Sequence, residues 1–84
     1  MIVHLEKNGV RCSLHQTLNG FLLKTNFNPL KNLNFLQEMQ KSFHVIGAEN
    51  ELENGYNGIV FNTYDYNSDN IIDTISRIIE DTVI

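Results

Sequence analysis

The chain has one cysteine, one proline and no tryptophan. A single thiol, Cys12, excludes an intramolecular disulfide, and no Cys/His spacing resembles a zinc site. A chain of 84 residues buries a smaller fraction of its surface than a longer one. With neither staple to help, its stability must come from one hydrophobic core or from self-association. No apolar run approaches the roughly 20 residues that span a bilayer. Met1-Ile2-Val3-His4-Leu5-Glu6 reaches a charge too soon for a secretory leader. The expectation is one soluble, cytoplasmic domain over residues 1–84, which a lone free thiol suits. Phosphate-binding glycine motifs are missing as well. Gly55 and Gly58 cluster, but no Walker or dinucleotide fingerprint is present.

Basic residues are few, and they are sorted. Residues 1–48 hold Lys7, Arg11, Lys24, Lys31 and Lys41 against Glu6 and Glu38, a net +3. Residues 49–84 hold Glu49, Glu51, Glu53, Asp65, Asp69, Asp73, Glu80 and Asp81 against Arg77 alone, a net −7. Such an imbalance bears on partners more than on fold. The scattered cations and overall charge of −4 argue against direct nucleic-acid binding, and an anionic membrane would be repelled. An acidic half attracts basic protein surfaces, including those of nucleases and other nucleic-acid-binding proteins.

The twelve asparagines are dispersed, and several fall where turns are expected. Asn8-Gly9 suits a two-residue type I′ turn, in which both central residues take positive φ. That loop pairs Lys7 with Val10, Glu6 with Arg11, Leu5 with Cys12, His4 with Ser13 and Val3 with Leu14. One face then collects Val3, Leu5, Val10, Cys12 and Leu14, and the other His4, Glu6, Arg11 and Ser13. Asn19-Gly20 repeats the signal and would pair Leu18 with Phe21, Thr17 with Leu22 and Gln16 with Leu23. This register puts Gln16 on the apolar side, a flaw that a bulge or longer loop over Gln16 to Gly20 would relieve. Residues 2–26 thus read as a three-stranded antiparallel meander.

Asn28-Pro29 reads as an N-cap and first turn of a helix, with Leu30, Leu33, Leu36, Met39 and Phe43 as its apolar stripe and Phe35 beside it. His44-Val45-Ile46 suggests a short strand. Gly47 to Gly58 reads as a polar loop with turn signals at Asn54-Gly55 and Asn57-Gly58. Ile59 to Tyr64 is β-branched and aromatic, as a strand requires. After a turn at Asp65 to Ser68, a last helix runs from about Asp69 to Thr82 with Ile71, Ile72, Ile75, Ile78 and Ile79 in its stripe. The expected fold is α+β: a two-layer sandwich of order β-β-β-α-β-β-α, with two amphipathic helices on one face of an antiparallel sheet. The opposite face, with His4, Glu6, Arg11, Ser13 and Thr17, is polar enough to meet water.

No catalytic signature stands out. His4, His15 and His44 lack a clear acid or second ligand, with Glu6 the plausible neighbour for the first two. Cys12 falls on the core face, where a thiol acts as a small apolar residue. Asp65-Tyr66-Asn67-Ser68-Asp69-Asn70-Ile71-Ile72-Asp73 resembles the front of an EF-hand loop, which would make Asp65, Asn67, Asp69 and Asp73 calcium ligands. The pattern departs at position twelve, Ser76, which cannot give a bidentate carboxylate, and at position six, Asn70 in place of glycine. A helix-capping turn accounts for the same residues.

What remains is acid interleaved with tyrosine. Glu49, Glu51, Glu53 and Tyr56 share one loop, and Tyr64, Asp65, Tyr66, Asp69 and Asp73 follow the next strand. Tyrosine anchors among carboxylates suit docking on a basic protein. The expected function is a non-enzymatic binding protein that needs no cofactor, comparable to an inhibitor, immunity protein or antitoxin. A self-associating structural or regulatory module is the alternative, and a calcium-binding domain over residues 65–73 a further one.

Overall fold

The structure is a computed structural model that describes residues 2–49, 55–63 and 68–83, with residues 68 and 69 described by backbone alone. Strands β1 (Ile2–Lys7), β2 (Val10–Thr17) and β3 (Gly20–Thr25) are followed by a 3₁₀ turn (Pro29–Lys31) and helix α1 (Leu33–Ser42). Strands β4 (His44–Glu49) and β5 (Asn57–Asn62) and helix α2 (Ser68–Thr82) complete the chain. The strands form one antiparallel sheet of order β1-β2-β3-β5-β4. The protein is therefore of the α+β class, with the element order expected from sequence. Among the described residues no helix is long and apolar enough to cross a membrane.

The first hairpin has the expected register, from Lys7 opposite Val10 to Val3 opposite Leu14. Asn8 and Gly9 take φ of 52° and 82°, as a type I′ turn demands. Asn26 secures its end: the side-chain oxygen accepts from the Arg11 N–H at 2.9 Å and the amide donates to the Gly9 carbonyl at 2.8 Å.

The second hairpin differs. Thr17 pairs with Gly20 and Gln16 with Phe21, so the loop is Leu18-Asn19 and not Asn19-Gly20. Gly20 belongs to β3, where a Cβ would lie 2.6 Å from the Phe61 carbonyl oxygen. The glycine is needed for the approach of β5, which no local turn signal could reveal. Gln16 keeps the parity of the core face but sits near the strand end, where it is exposed.

The first helix also differs at its start. Asn28 caps as expected, its side-chain oxygen accepting from the Leu30 N–H at 2.9 Å. The turn it caps is 3₁₀, and Asn32 (φ −124°, ψ 71°) interrupts it before α1 begins. The break rotates Leu30 and Leu33 out to solvent and gives the core positions to Phe35, Met39 and Phe43. Phe35, expected at the margin of the stripe, is fully buried and meets Phe27 edge-on with centroids 4.9 Å apart.

Two strands begin or end inside the expected polar loop. Strand β4 continues past Gly47 to Glu49 because a bulge absorbs Ile46, which is left exposed. Asn57-Gly58 opens β5 and is no turn. Asn57 pairs with Thr25 in register, and both side chains donate to the Phe27 carbonyl, at 2.9 and 2.6 Å. Two buried polar groups are thereby matched to the backbone of the departing chain. The expected turn at Asp65 to Ser68, apart from Ser68, lies outside the described residues, as do Asn54 and Tyr64.

A single core joins alternate strand residues Cys12, Leu14, Phe21, Leu23, Ile59 and Phe61 to helical residues Phe35, Met39, Ile71, Ile75, Ile78 and Ile79. The rings of Phe21 and Phe61 stack at 5.4 Å, and Phe43 leans on Phe61 at 4.8 Å. Ile71, Ile75, Ile78 and Ile79 of the α2 stripe are buried as their spacing predicted, and Ile72 is partly buried against them.

Candidate binding surface

Strand alternation turns the partners of these core residues the other way. On the outward face of β1, β2 and β3, His4 stands opposite Ser13, and Ser13 opposite Lys24. Glu6 stands opposite Arg11 in the next row, and His15 opposite Leu22 on the other side. Gly58 of β5 faces Lys24 and adds no side chain, which leaves room there. A hollow of about 300 Å³ is lined by His4, Arg11, Ser13, His15, Lys24 and Tyr56, with Glu6 on its wall and Cys12 at its base.

Within the hollow the Ser13 hydroxyl and His15 Nε2 are 2.9 Å apart, each able to donate or accept according to the imidazole tautomer. The His15 pKa lies below its ordinary value, first because burial disfavours the charged ring and then because Lys24 and His4 add positive potential. Glu6 and Arg11 share a row, yet no ion pair forms between them. Among the described residues the ion pairs are Lys7 with Glu80 and Lys41 with Glu38. Arg11 and Lys24 are thus left without a carboxylate partner there.

The Ser13–His15 contact was open to sequence reasoning, since positions i and i+2 share a strand face. A serine nucleophile also needs its base oriented by a third group, and among the described residues no carboxylate bonds His15. Burial lifts the Cys12 thiol from 9.0 to about 12, which removes its nucleophilic form near neutrality. Three His, Cys, Asp or Glu side chains arranged to hold a metal are not found among the described residues.

Of the residues expected to bind a partner, Glu49 is exposed at the end of β4 and Asp73 is exposed on α2. Tyr56 is half-buried and lines the hollow beside Arg11 and Lys24. Glu51, Glu53, Tyr64, Asp65 and Tyr66 lie outside the described residues, as does the side chain of Asp69. The calcium-type set falls largely in the same gap, with Asp73 its described member. Glu80, which sits at the unfavourable end of the α2 dipole, has a partner in Lys7. No protein-family model matches the chain, and no curated protein or solved structure matches it at a significant level.

Proposed function

We propose that this chain is a small non-catalytic binding protein whose acidic half docks on a basic surface of a partner protein, as an inhibitor, immunity protein or antitoxin does. We also infer a two-layer sandwich with both helices on one sheet face, because their buried residues join the same set of alternate strand residues in one core. The observation that carries the functional reading is unpaired acid. Asp73 and Asp81 of α2 and Glu49 of β4 are exposed and take no ion pair among the described residues. Arg77 lies four positions from each of those helical aspartates, a favourable spacing, and still pairs with neither. Unneutralised surface charge of one sign speeds encounter with a surface of the other sign.

The test compares wild type with the Glu49→Lys, Glu51→Lys, Glu53→Lys variant as baits in source lysate, and then as purified partners in association kinetics at low and high salt. The expected result is a stoichiometric basic protein held by wild type, with association slowed at least about tenfold by charge reversal at low salt. Equal recovery with both baits, or an unchanged association rate, would remove the proposal.

One observation favours self-association as a second reading. Strands β1 and β4 are the edges of the sheet, and Ile2 and Ile46 on them are exposed. Unpaired edges are templates for a second copy. Sedimentation at several concentrations decides it, since a monomer at all of them excludes that reading.

A further inference from the structure

We propose that the outward hollow on β1, β2 and β3 binds the phosphate group of a small phosphate monoester. The proposal does not depend on the acidic reading: Asp73 and Asp81 belong to α2, and Glu49, which shares the outward row of Lys24, stands beyond Gly58 at the edge strand. Three observations combine. The hollow gathers donors: the Arg11 guanidinium, the Lys24 ammonium, the Ser13 hydroxyl and the imidazoles of His4 and His15. Its two fixed cations lack a carboxylate within ion-pair distance among the described residues, although Glu6 shares the hollow. The volume of about 300 Å³ lies at the small end of ligand pockets, enough for a phosphate and a compact organic group.

The donor types favour a tetrahedral oxyanion. A planar guanidinium grips two oxygens at once, and a lysine ammonium adds a point charge. The Ser13 hydroxyl, held at His15, can serve a third oxygen. These groups stand on three paired strands, so their spacing is set by the ladder and not by a loop. Burial is the larger cause of the lowered His15 pKa; the smaller contribution, positive potential from Lys24 and His4, favours an anion beside the ring. Tyr56 also lines the hollow, and an aromatic side chain there suits the organic part of the ligand. A metal is the weaker occupant, because His4, His15 and Glu6 are not arranged to hold one and two cations stand among them.

The experiment is amide NMR of the full chain titrated with inorganic phosphate, phenyl phosphate and benzoate. Sodium chloride at matched ionic strength is the reference, and the Arg11→Gln, Lys24→Gln variant is the comparison. Both substituted residues lie on the outward face, and an unchanged melting temperature will certify the fold. The expected result is a set of shifts confined to residues 4–6, 11–15, 22–24 and 56. Phenyl phosphate should bind more tightly than inorganic phosphate, and the variant should weaken both by at least about tenfold. The proposal is overturned by shifts that sodium chloride reproduces, by shifts that persist in the variant, by benzoate binding as tightly as phenyl phosphate, or by no localised shift at all. The Asp73→Lys, Asp81→Lys variant of α2 should leave this titration unchanged and slow association with a basic partner, so the two proposals can fail separately.

Discussion

Replacing Gly20 by alanine tests the sheet where sequence and structure part. The added Cβ would sit 2.6 Å from the Phe61 carbonyl oxygen, and the residue has φ of +150°, which L side chains rarely adopt. The obstacle is backbone, so no side chain can swing aside. Relief requires β3 and β5 to separate beside the stacked Phe21 and Phe61 rings. Backbone strain costs about 1–3 kcal/mol and overpacking about the same again, for a loss of roughly 3 kcal/mol or more. The whole domain holds on the order of 4–13 kcal/mol at typical stability per residue. Gly9 provides the contrast: its φ of +82° carries strain, but nothing lies within 4 Å of an added Cβ. Its alanine variant should lose only about 1–2 kcal/mol. Gly47 has open space and no positive φ, so alanine there should be neutral or stabilise by up to about 1 kcal/mol. Urea and thermal melts followed by circular dichroism read all three variants. The melting temperature should fall by about 12–24 °C for Gly20→Ala, a figure that follows from 4–8 °C per kcal/mol in a domain of this size. If Gly20→Ala costs no more than Gly9→Ala, then Gly20 lies in an open turn, and the β3–β5 register described here is wrong.

Two pH predictions follow from groups with shifted pKa values, the buried Cys12 and the half-buried His15. Burial lifts the Cys12 thiol from 9.0 to about 12, so between those values the native state keeps a proton that the unfolded chain releases. Stability should be unaffected by this group below pH 9 and decline as pH rises above it. Cys12→Ala should flatten that decline, and a colourimetric thiol reagent should react with wild type only when the protein opens. A thiol that reacts at once in native buffer refutes the burial. His15 works at the other end of the scale. Its lowered pKa means that the unfolded chain binds the proton first as pH falls below the ordinary 6.5. Stability should therefore drop on acidification through that value, and His15→Gln should lessen the drop in urea melts. An identical acid profile in wild type and variant would show that the ring is not disfavoured from charging.

Local chemistry was legible wherever it acted alone. Asn8-Gly9 fixed one register, the alternation on both sides agreed with it, and the hairpin followed. The α2 stripe was legible for the same reason, since a period of 3.6 is a property of one segment. What escaped was set by other strands. Asn19-Gly20 offers the same dipeptide as Asn8-Gly9, but its glycine answers to a carbonyl of β5 that lies 41 positions on. Asn57-Gly58 looks like a turn until Asn57 is seen donating to the Phe27 carbonyl. Asn28-Pro29 announced a helix correctly, but nothing in the neighbouring residues declared that Asn32 would break it and shift the buried stripe to Phe35 and Met39. Of the site, the outward residues His4, Glu6, Arg11 and Ser13 were placed on the right face. Their convergence with Lys24 and Tyr56 needed the third and fifth strands to be in register.

The division of charge along the chain does not translate into two charged ends. Lys7 of the basic half holds Glu80 of the acidic half, joining β1 to the last turns of α2. What is left over on each side then matters more than the totals. Asp73 and Asp81, without an ion pair among the described residues, ride on a helix whose isoleucines are in the core, so their side chains are turned to solvent. Arg11 and Lys24, without an ion pair among the described residues, belong to strand positions that alternate with core residues, so they leave the sheet on its outward side. On the two-layer arrangement inferred above, the sheet separates the two sets by about the 10 Å of one packed layer, roughly one Debye length at 0.1 M salt. At physiological salt the fields are then largely independent. A chain with net charge −4 can present a local cationic hollow without cancelling the field of the α2 aspartates. The overall charge that argues against nucleic acid therefore does not argue against a small phosphate, because a ligand of that size samples the hollow and not the whole molecule.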